Sequence, residues 1–494
     1  MKHRKLSLLL AVLLAVMPAI SCSSDEPSDD DTAGGDTTVG DTTAAPAGEA
    51  SGIPADLDLE GEVINIWYTT NASAASETFV DLDPEQTGDI LDDAIFEANV
   101  AVEEKLNCTL EYFNSGVKTS NTGTAIQTML MADDTTNDLY NTIQWTSAKL
   151  VLEGIFLNIA DAPYISFDKP WWDGGFMEAM SIGESKLYGL VGDCTVDRTR
   201  CLNAMYYNKQ MYEDFFGDPD GLYEEVLDMT WTHDRLREIS SMVYSDVNND
   251  GKADRGDILG YCTNDYNNID SFYYGANVKI TERDENDHPV IILNNENTVN
   301  TLESVYRLVF ETDGVYFSGP QYEQDVLNRN KFIEGTSMFH PGFFYTAEAM
   351  RDMKADYGIV PFPLLDKNQK NYQSIIHDIM RIMFLPTNCQ KVDAVCAALE
   401  ELAFQGYRDV LPQYYDVLLK NKYARDDNSA QMIEIIRSNT LTEFGRIFSL
   451  NTIAGIQRLQ IQARSSDFAS KYASLIEGAQ TVLDDYIELF EAID

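Results

Sequence analysis

Asp246, Asn248, Asp250, Asp254 and Asp257 stand at positions 1, 3, 5, 9 and 12 of one short stretch, with Gly251 at position 6. Oxygen side chains at that spacing are the ligand pattern of an EF-hand calcium loop. The glycine permits the tight turn, and position 7, here Lys252, contributes its backbone carbonyl. Position 12 carries Asp in place of the usual Glu. The same residues also read as an acidic, Asn-rich surface turn; the spacing favours Ca2+ in a structural role, pinning a long loop. A second set is aromatic. Trp67 and Trp145 end predicted strands, Trp171-Trp172 sits in a Pro-Trp-Trp-Asp-Gly-Gly loop, and Phe343-Phe344-Tyr345 follows Pro341-Gly342. Flat rings stack on sugar faces or pack in cores, and recurrence at strand ends points to a cleft. Catalytic signatures are missing: the sequence holds no G-x-S-x-G elbow, no H-E-x-x-H and no phosphate loop. His3, His233, His288, His340 and His377 are dispersed and read as structural. With 81 acidic residues many carboxylate pairs exist, and no spacing selects one for glycoside chemistry.

The elements that must position these residues alternate. Glu62–Tyr68, Cys108–Phe113 and Asp138–Thr146 have the β-branched and aromatic content of strands, separated by helical spacing over Asp92–Leu106 and Thr124–Ala132. A β-α-β-α-β order implies a mainly parallel α/β sheet. Further strands are predicted at Cys201–Tyr207, Ile258–Cys262, Ser337–His340, Tyr357–Pro361 and Ile379–Leu385. The tail reads as helical over Val392–Phe404, Ser429–Ser438 and Phe468–Ala492. The fold class is therefore a large two-lobed α/β protein with a helical C-terminal region. In open sheets of this kind ligands bind beyond the carboxyl ends of the strands.

Charge and the N-terminus set the location. The 494 residues carry 35 Lys+Arg against 81 Asp+Glu, a formal net charge of −46. A polyanion without a basic stripe excludes nucleic acid as a partner. Lys2, Arg4 and Lys5 precede an apolar run over Leu6–Ile20, the pattern of a secretory signal (residues 1–21) that is too short to span a membrane. Ala19-Ile20-Ser21-Cys22 resembles a bacterial lipobox, in which Cys22 would receive a diacylglycerol; cleavage nearby with Cys22 left as a free thiol is the alternative. Residues 23–62 hold twelve acidic residues and no Lys or Arg, so 22–60 is expected to be a solvated tether with the fold starting near Gly61. Six further cysteines contain no C-x-x-C pair; Cys194 and Cys201 are spaced to close a short loop, and spacing alone does not choose a pairing.

Four segments then become recognisable in order: Tyr206-Tyr207-Asn208-Lys209, the Trp231-Thr232 helix start within Met229–Leu236, Phe332–Phe339 followed by Pro341-Gly342-Phe343, and Tyr357-Gly358-Ile359-Val360-Pro361-Phe362-Pro363. On these the chain resembles bacterial extracellular solute-binding proteins of family 1, the lipoprotein receptors of ABC importers. The resemblance implies a Venus-flytrap receptor with crossings near 200–208, 320–331 and 376–388. Lobe 1 would be 61–203 plus 328–383, and lobe 2 would be 204–327 plus 384–494. It further implies a monomer that hands a carbohydrate or oligosaccharide to separate permease subunits and is not an enzyme. Trp67, Trp145 and Phe343 would stack on the sugar, while Asp193 and Asp378 would accept its hydroxyl hydrogen bonds. A secreted glycan-acting enzyme and a calcium-dependent surface adhesin are the alternatives.

Overall fold

The computed structural model describes residues 49–493 apart from 75–76, 184–185, 266, 320–322 and 421–426. The signal, Cys22 and the tether up to residue 48 lie outside the described residues. In chain order the strands are β1 (Glu62–Tyr68), β2 (Cys108–Asn114), β3 (Leu139–Ile143), β4 (Asn203–Asn208), β5 (Leu259–Thr263), β6 (Thr281–Arg283), β7 (Pro289–Ile291), β8 (Val315–Phe317), β9 (Ser337–Phe343), β10 (Tyr357–Val360) and β11 (Arg381–Phe384). They form a first sheet of order β11-β3-β1-β2, a second of order β10-β4-β9-β5-β8, and the separate hairpin β6-β7.

The first sheet grows from local signals. Asp89 caps the helix Ile90–Leu106 by accepting from the Leu91 and Asp92 amides, and Asn107 in the left-handed conformation ends it. The chain then enters β2, which lies parallel to β1 over its whole length; β3 joins on the other side, also parallel. Only β11 runs antiparallel there, against β3. The second sheet is mixed rather than mainly parallel. β5 runs parallel to β8 and β9, whereas β4 opposes both β9 and β10. The helix His233–Val243, capped by the Thr232 side chain, covers β5. Gly260 permits this approach, since a Cβ there would stand 2.1 Å from Ser240 Cα.

Three expectations about organisation are corrected. Strands β9 and β10, inside the 328–383 segment assigned to lobe 1, belong to the second sheet beside β4. The helix Val392–Gln405, assigned to lobe 2, lies in the first sheet's core with Ile64, Ile66 and Leu139. Strand pairing decides both, and pairing is a long-range property that element type does not encode. The expected crossing at 320–331 is instead the helix Glu323–Ile333, packed on β5 and β9. The fold also starts before Gly61. Ile53 is buried in the first core, Leu57 and Leu59 pack against it, and Ser51 donates to Glu401, which also pairs with Lys105 at 2.5 Å. Three apolar anchors at close spacing give this part of the acidic stretch enough surface to bury. The six described cysteines are free, with Cys194 and Cys201 not joined.

Between the sheets the chain crosses first at Arg200–Asn203 and returns through Ile376–Met380. The two segments run side by side: His377 N–H donates to the Cys201 carbonyl at 2.8 Å, and Asn203 N–H to Ile375 at 3.0 Å. Beyond Gln405 a π-helical turn at Gly406–Val410 leads into the helix Leu411–Lys420, and the helix Asp427–Ser438 then packs on β10. The turn presses on the segment after Val191, and Gly406 is required there because a Cβ would meet the Asp193 carbonyl at 1.7 Å.

Candidate functional site

The return crossing carries the site. Where β3 ends, Gln144 and Trp145 turn their amides onto the carbonyls of Met380 and Asp378, at 3.0 and 3.1 Å. Trp145 is 39% exposed, and no other Trp is among the exposed large hydrophobics of the described residues. From the second sheet, β9 ends at Phe343, whose ring lies 4.4 Å from His377 edge-on and stacks on Tyr345 at 5.5 Å; only 6% exposed, it backs the crossing and does not offer the open stacking face expected of it. Next to His377 stands Asp378, whose Oδ1 is 3.0 Å from His377 Nδ1. Trp145, Phe343 and Asp378, predicted from three distant strand ends, are thus gathered at one point by three separate segments.

Charge from the second sheet's side reaches this point. Burial alone would raise Asp378, but the His377 hydrogen bond and the charges of His377, Arg446 and Arg458 hold it at about 2. Its side chain still keeps 32% exposure. Across from it Asp325, on the helix Glu323–Ile333, accepts from Asn268 at 3.4 Å and Asn264 at 3.5 Å, and burial raises its pKa. Three arginines here have carboxylate partners, whereas the buried Nε of Arg329 has none among the described residues. Arg458 is bidentate on Asp270, Arg200 on Glu348, and Arg381 lies 3.2 Å from Asp197.

Two predicted residues are not part of this group. Trp67 is 1% exposed and packs on Tyr140, so the core covers its faces. Asp193 is buried under Gly406 near Arg198, 3.7 Å away, and burial pushes its pKa up to about 7. Trp171 and Trp172 also belong to the core; Trp172 Nε1 donates to the buried Glu400 at 2.8 Å. Sequence reasoning read His377 as structural, named Tyr345 only within an aromatic run and missed Asp325. Tyr345 had a signal in the aromatic run after Gly342, and His377 in its place beside Asp378. Asp325 had none, because only helix packing brings it there.

The calcium-type loop is distant in kind from this site. Gly251 has φ +75°, and Ser245 pairs with Ile258 across the loop base. Asp246 Oδ2 accepts from the Gly251 amide and Asp257 from those of Val247 and Asp254. Buried Lys331 donates to the carbonyls of Arg255 and Asp257, tying the loop to the second sheet's helix. Among the described residues no three acidic, His or Cys side chains form a metal-ligating group.

No family model matches the chain, and no curated protein does. Solved structures do match. An ABC-transporter solute-binding protein from Thermotoga lettingae bound with α-D-tagatose is 14% identical, with a TM-score of 0.54 over 86% of this chain and 100% of that one. The maltose/maltodextrin-binding domain MalE from Bdellovibrio bacteriovorus, bound to maltotriose, gives 14% and 0.53 over 86% and 100%. UgpB from Mycobacterium tuberculosis, in complex with glycerophosphocholine, gives 12% and 0.55 over 86% and 100%. No helix among the described residues is long and apolar enough to cross a membrane. The chain has the two-lobed α/β fold of ABC-transporter solute-binding proteins.

Proposed function

We propose that this chain is the extracytoplasmic solute receptor of an ABC importer, anchored by a lipid on Cys22, and that it captures a carbohydrate or oligosaccharide. The observation that carries the reading is the convergence of Trp145, Phe343 and Asp378 where the chain passes between the sheets. An open indole offers a stacking face, and an ionised carboxylate accepts hydroxyl hydrogen bonds. A ligand held there touches groups from both sheets, so its binding energy favours the arrangement that brings them together. Delivery would then fall to separate permease subunits. The neighbours that hold tagatose and maltotriose support a sugar, and the absence of catalytic motifs supports binding over turnover.

The test is a thermal-shift panel of mono- and oligosaccharides with peptides, polyamines and glycerophosphocholine as the other arms. A saccharide should raise the melting temperature in proportion to the logarithm of its concentration above Kd. A shift with peptides or polyamines and none with any glycan would overturn the sugar reading.

A calcium ion at residues 246–257 is the second part of the proposal. Asp246, Asn248, Asp250, Asp254 and Asp257 would hold it with the Lys252 carbonyl, and Gly251 already has the backbone the turn needs. Its role would be to stiffen the loop on Lys331 and the second sheet.

A further inference from the structure

The charges around the return crossing are unevenly matched. Arg458 is taken up by Asp270, Arg200 by Glu348 and Arg381 by Asp197, while Arg446 lies over the Tyr274 ring at 4.8 Å beside Glu443. Asp378 pairs directly with no Arg or Lys; its one ion-pair partner is the neighbouring His377. His377 Nδ1 meets one of its oxygens, and the same nitrogen lies 3.1 Å from the Ile379 amide. Among the described residues Asp378 has no other side-chain partner, and a third of its side chain is open. The Trp145 indole, itself open to solvent, starts from the residue whose amide binds the Asp378 carbonyl. An exposed indole and an ionised carboxylate rooted on neighbouring backbone atoms are the two groups that recognise an organic cation, by cation–π attraction and a charge-assisted hydrogen bond.

We propose that the site prefers a saccharide bearing a protonated amine, with Asp378 as the acceptor and Trp145 as the platform for the ammonium-bearing ring. This rests on the sugar-receptor reading and narrows it. Neutral sugars lack the charge that Asp378 can pair. A uronate or a sugar phosphate would set a like charge beside it, so rejection follows from repulsion as well as from missing contacts. The whole chain works in the same sense. A net charge of −46 steers cations toward the surface and slows anions, an effect that falls as salt rises.

The experiment is isothermal titration with chitooligosaccharides of one length in two forms, fully N-acetylated and fully de-N-acetylated. A maltooligosaccharide, an oligogalacturonate and spermidine complete the set. The amine form should bind at least about tenfold more tightly than its acetylated twin, as a charge-assisted hydrogen bond predicts, and oligogalacturonate should be weakest. Asp378→Asn, which keeps the shape, should cut the amine preference to under about threefold at an unchanged melting temperature. Trp145→Ala should weaken both forms. Equal binding of acetylated and amine forms would overturn this inference and leave the sugar reading standing. Spermidine binding without any saccharide would overturn both. If Asp378→Asn lowers the melting temperature, Asp378→Glu replaces it, and retention of the preference by Glu with loss in Asn is the expected pattern. A preference that persists in Asn would contradict the assignment.

Discussion

Single residues carry the difference between site and core, and two tryptophans show it. Trp67 lies near the end of β1 and Trp145 two residues beyond β3, yet one is covered on all sides and the other opens to solvent. Trp67→Ala should cost about 3–5 kcal/mol in urea unfolding, as a large buried ring does. Trp145→Ala should change stability by under about 1 kcal/mol and remove saccharide binding. The last residue of a buried strand faces either the cleft or the interior, and its type does not say which. That is why strand-end reasoning selects Trp145 and Asp378, which meet solvent, together with Trp67, Asp193 and Phe343, which are buried. Histidines supply a second residue-scale prediction. His233 and His340 are fully buried, and burial holds them down to about 4 and about 3; nearby Arg329 adds to the effect on His340. His233 binds Ser304 at 2.9 Å, whereas both ring nitrogens of His340 lack a partner among the described residues. On unfolding each ring can protonate near 6.5. The unfolded chain therefore binds more protons below that pH, and stability falls as pH drops, by about 1.4 kcal/mol per unit per histidine. Asp193, raised to about 7, acts oppositely: its contribution is full below about 4 and is lost as pH rises through 7. The readout is thus the difference between wild type and His340→Leu from pH 6.5 to 4.5, which should widen in favour of the variant as pH falls. A constant difference would contradict the buried neutral ring.

At the scale of elements, local signals located most of the structure. Glu62–Tyr68 and Phe468–Ala492 match the expected bounds, and the other predicted elements begin or end within a few residues of theirs. Helices such as Glu296–Phe310, Asn267–Gly275 and Leu411–Lys420 were not predicted, and strands of three residues escaped too. Thr281–Arg283, Pro289–Ile291 and Val315–Phe317 are too short for a period-2 pattern to stand out. The hairpin formed by the first two matters for the assembly. Arg283 reaches the carbonyls of Glu178, Ala179 and Ser181 at the end of the helix Gly174–Met180, and Asp287 accepts from the Gly183 amide at 2.9 Å. The calcium-type loop makes its own prediction. Added Ca2+ should raise the melting temperature, chelation should lower it, and Asp246→Ala with Asp250→Ala should abolish both responses. A melt indifferent to Ca2+ in the wild-type protein would leave the loop as an acidic turn.

The molecule as a whole is built from two sheets whose membership does not follow chain order. Residues 203–360 supply all five strands of the second sheet, with the hairpin β6-β7 set apart between β5 and β8, and the chain then returns to complete the first with β11 and the helix Val392–Gln405. The first and return crossings lie near positions that the resemblance implies, 200–208 and 376–388. The assignment of later segments to a lobe was not, because β9 could be paired with β4 only through contacts more than a hundred residues apart. The acidic surface excluded one class of partner from the start, and around Asp378 the same sign of charge reappears on a much smaller scale. The proposed saccharide site is where Trp145, Phe343 and Asp378 meet. Isothermal titration of the wild-type protein and of the Trp145→Ala/Asp378→Ala double variant, against the saccharide that most raises the melting temperature, tests it most directly. Saturable one-to-one binding that weakens at least about a hundredfold in a folded double variant is the predicted result. Unchanged affinity in that variant would contradict the claim.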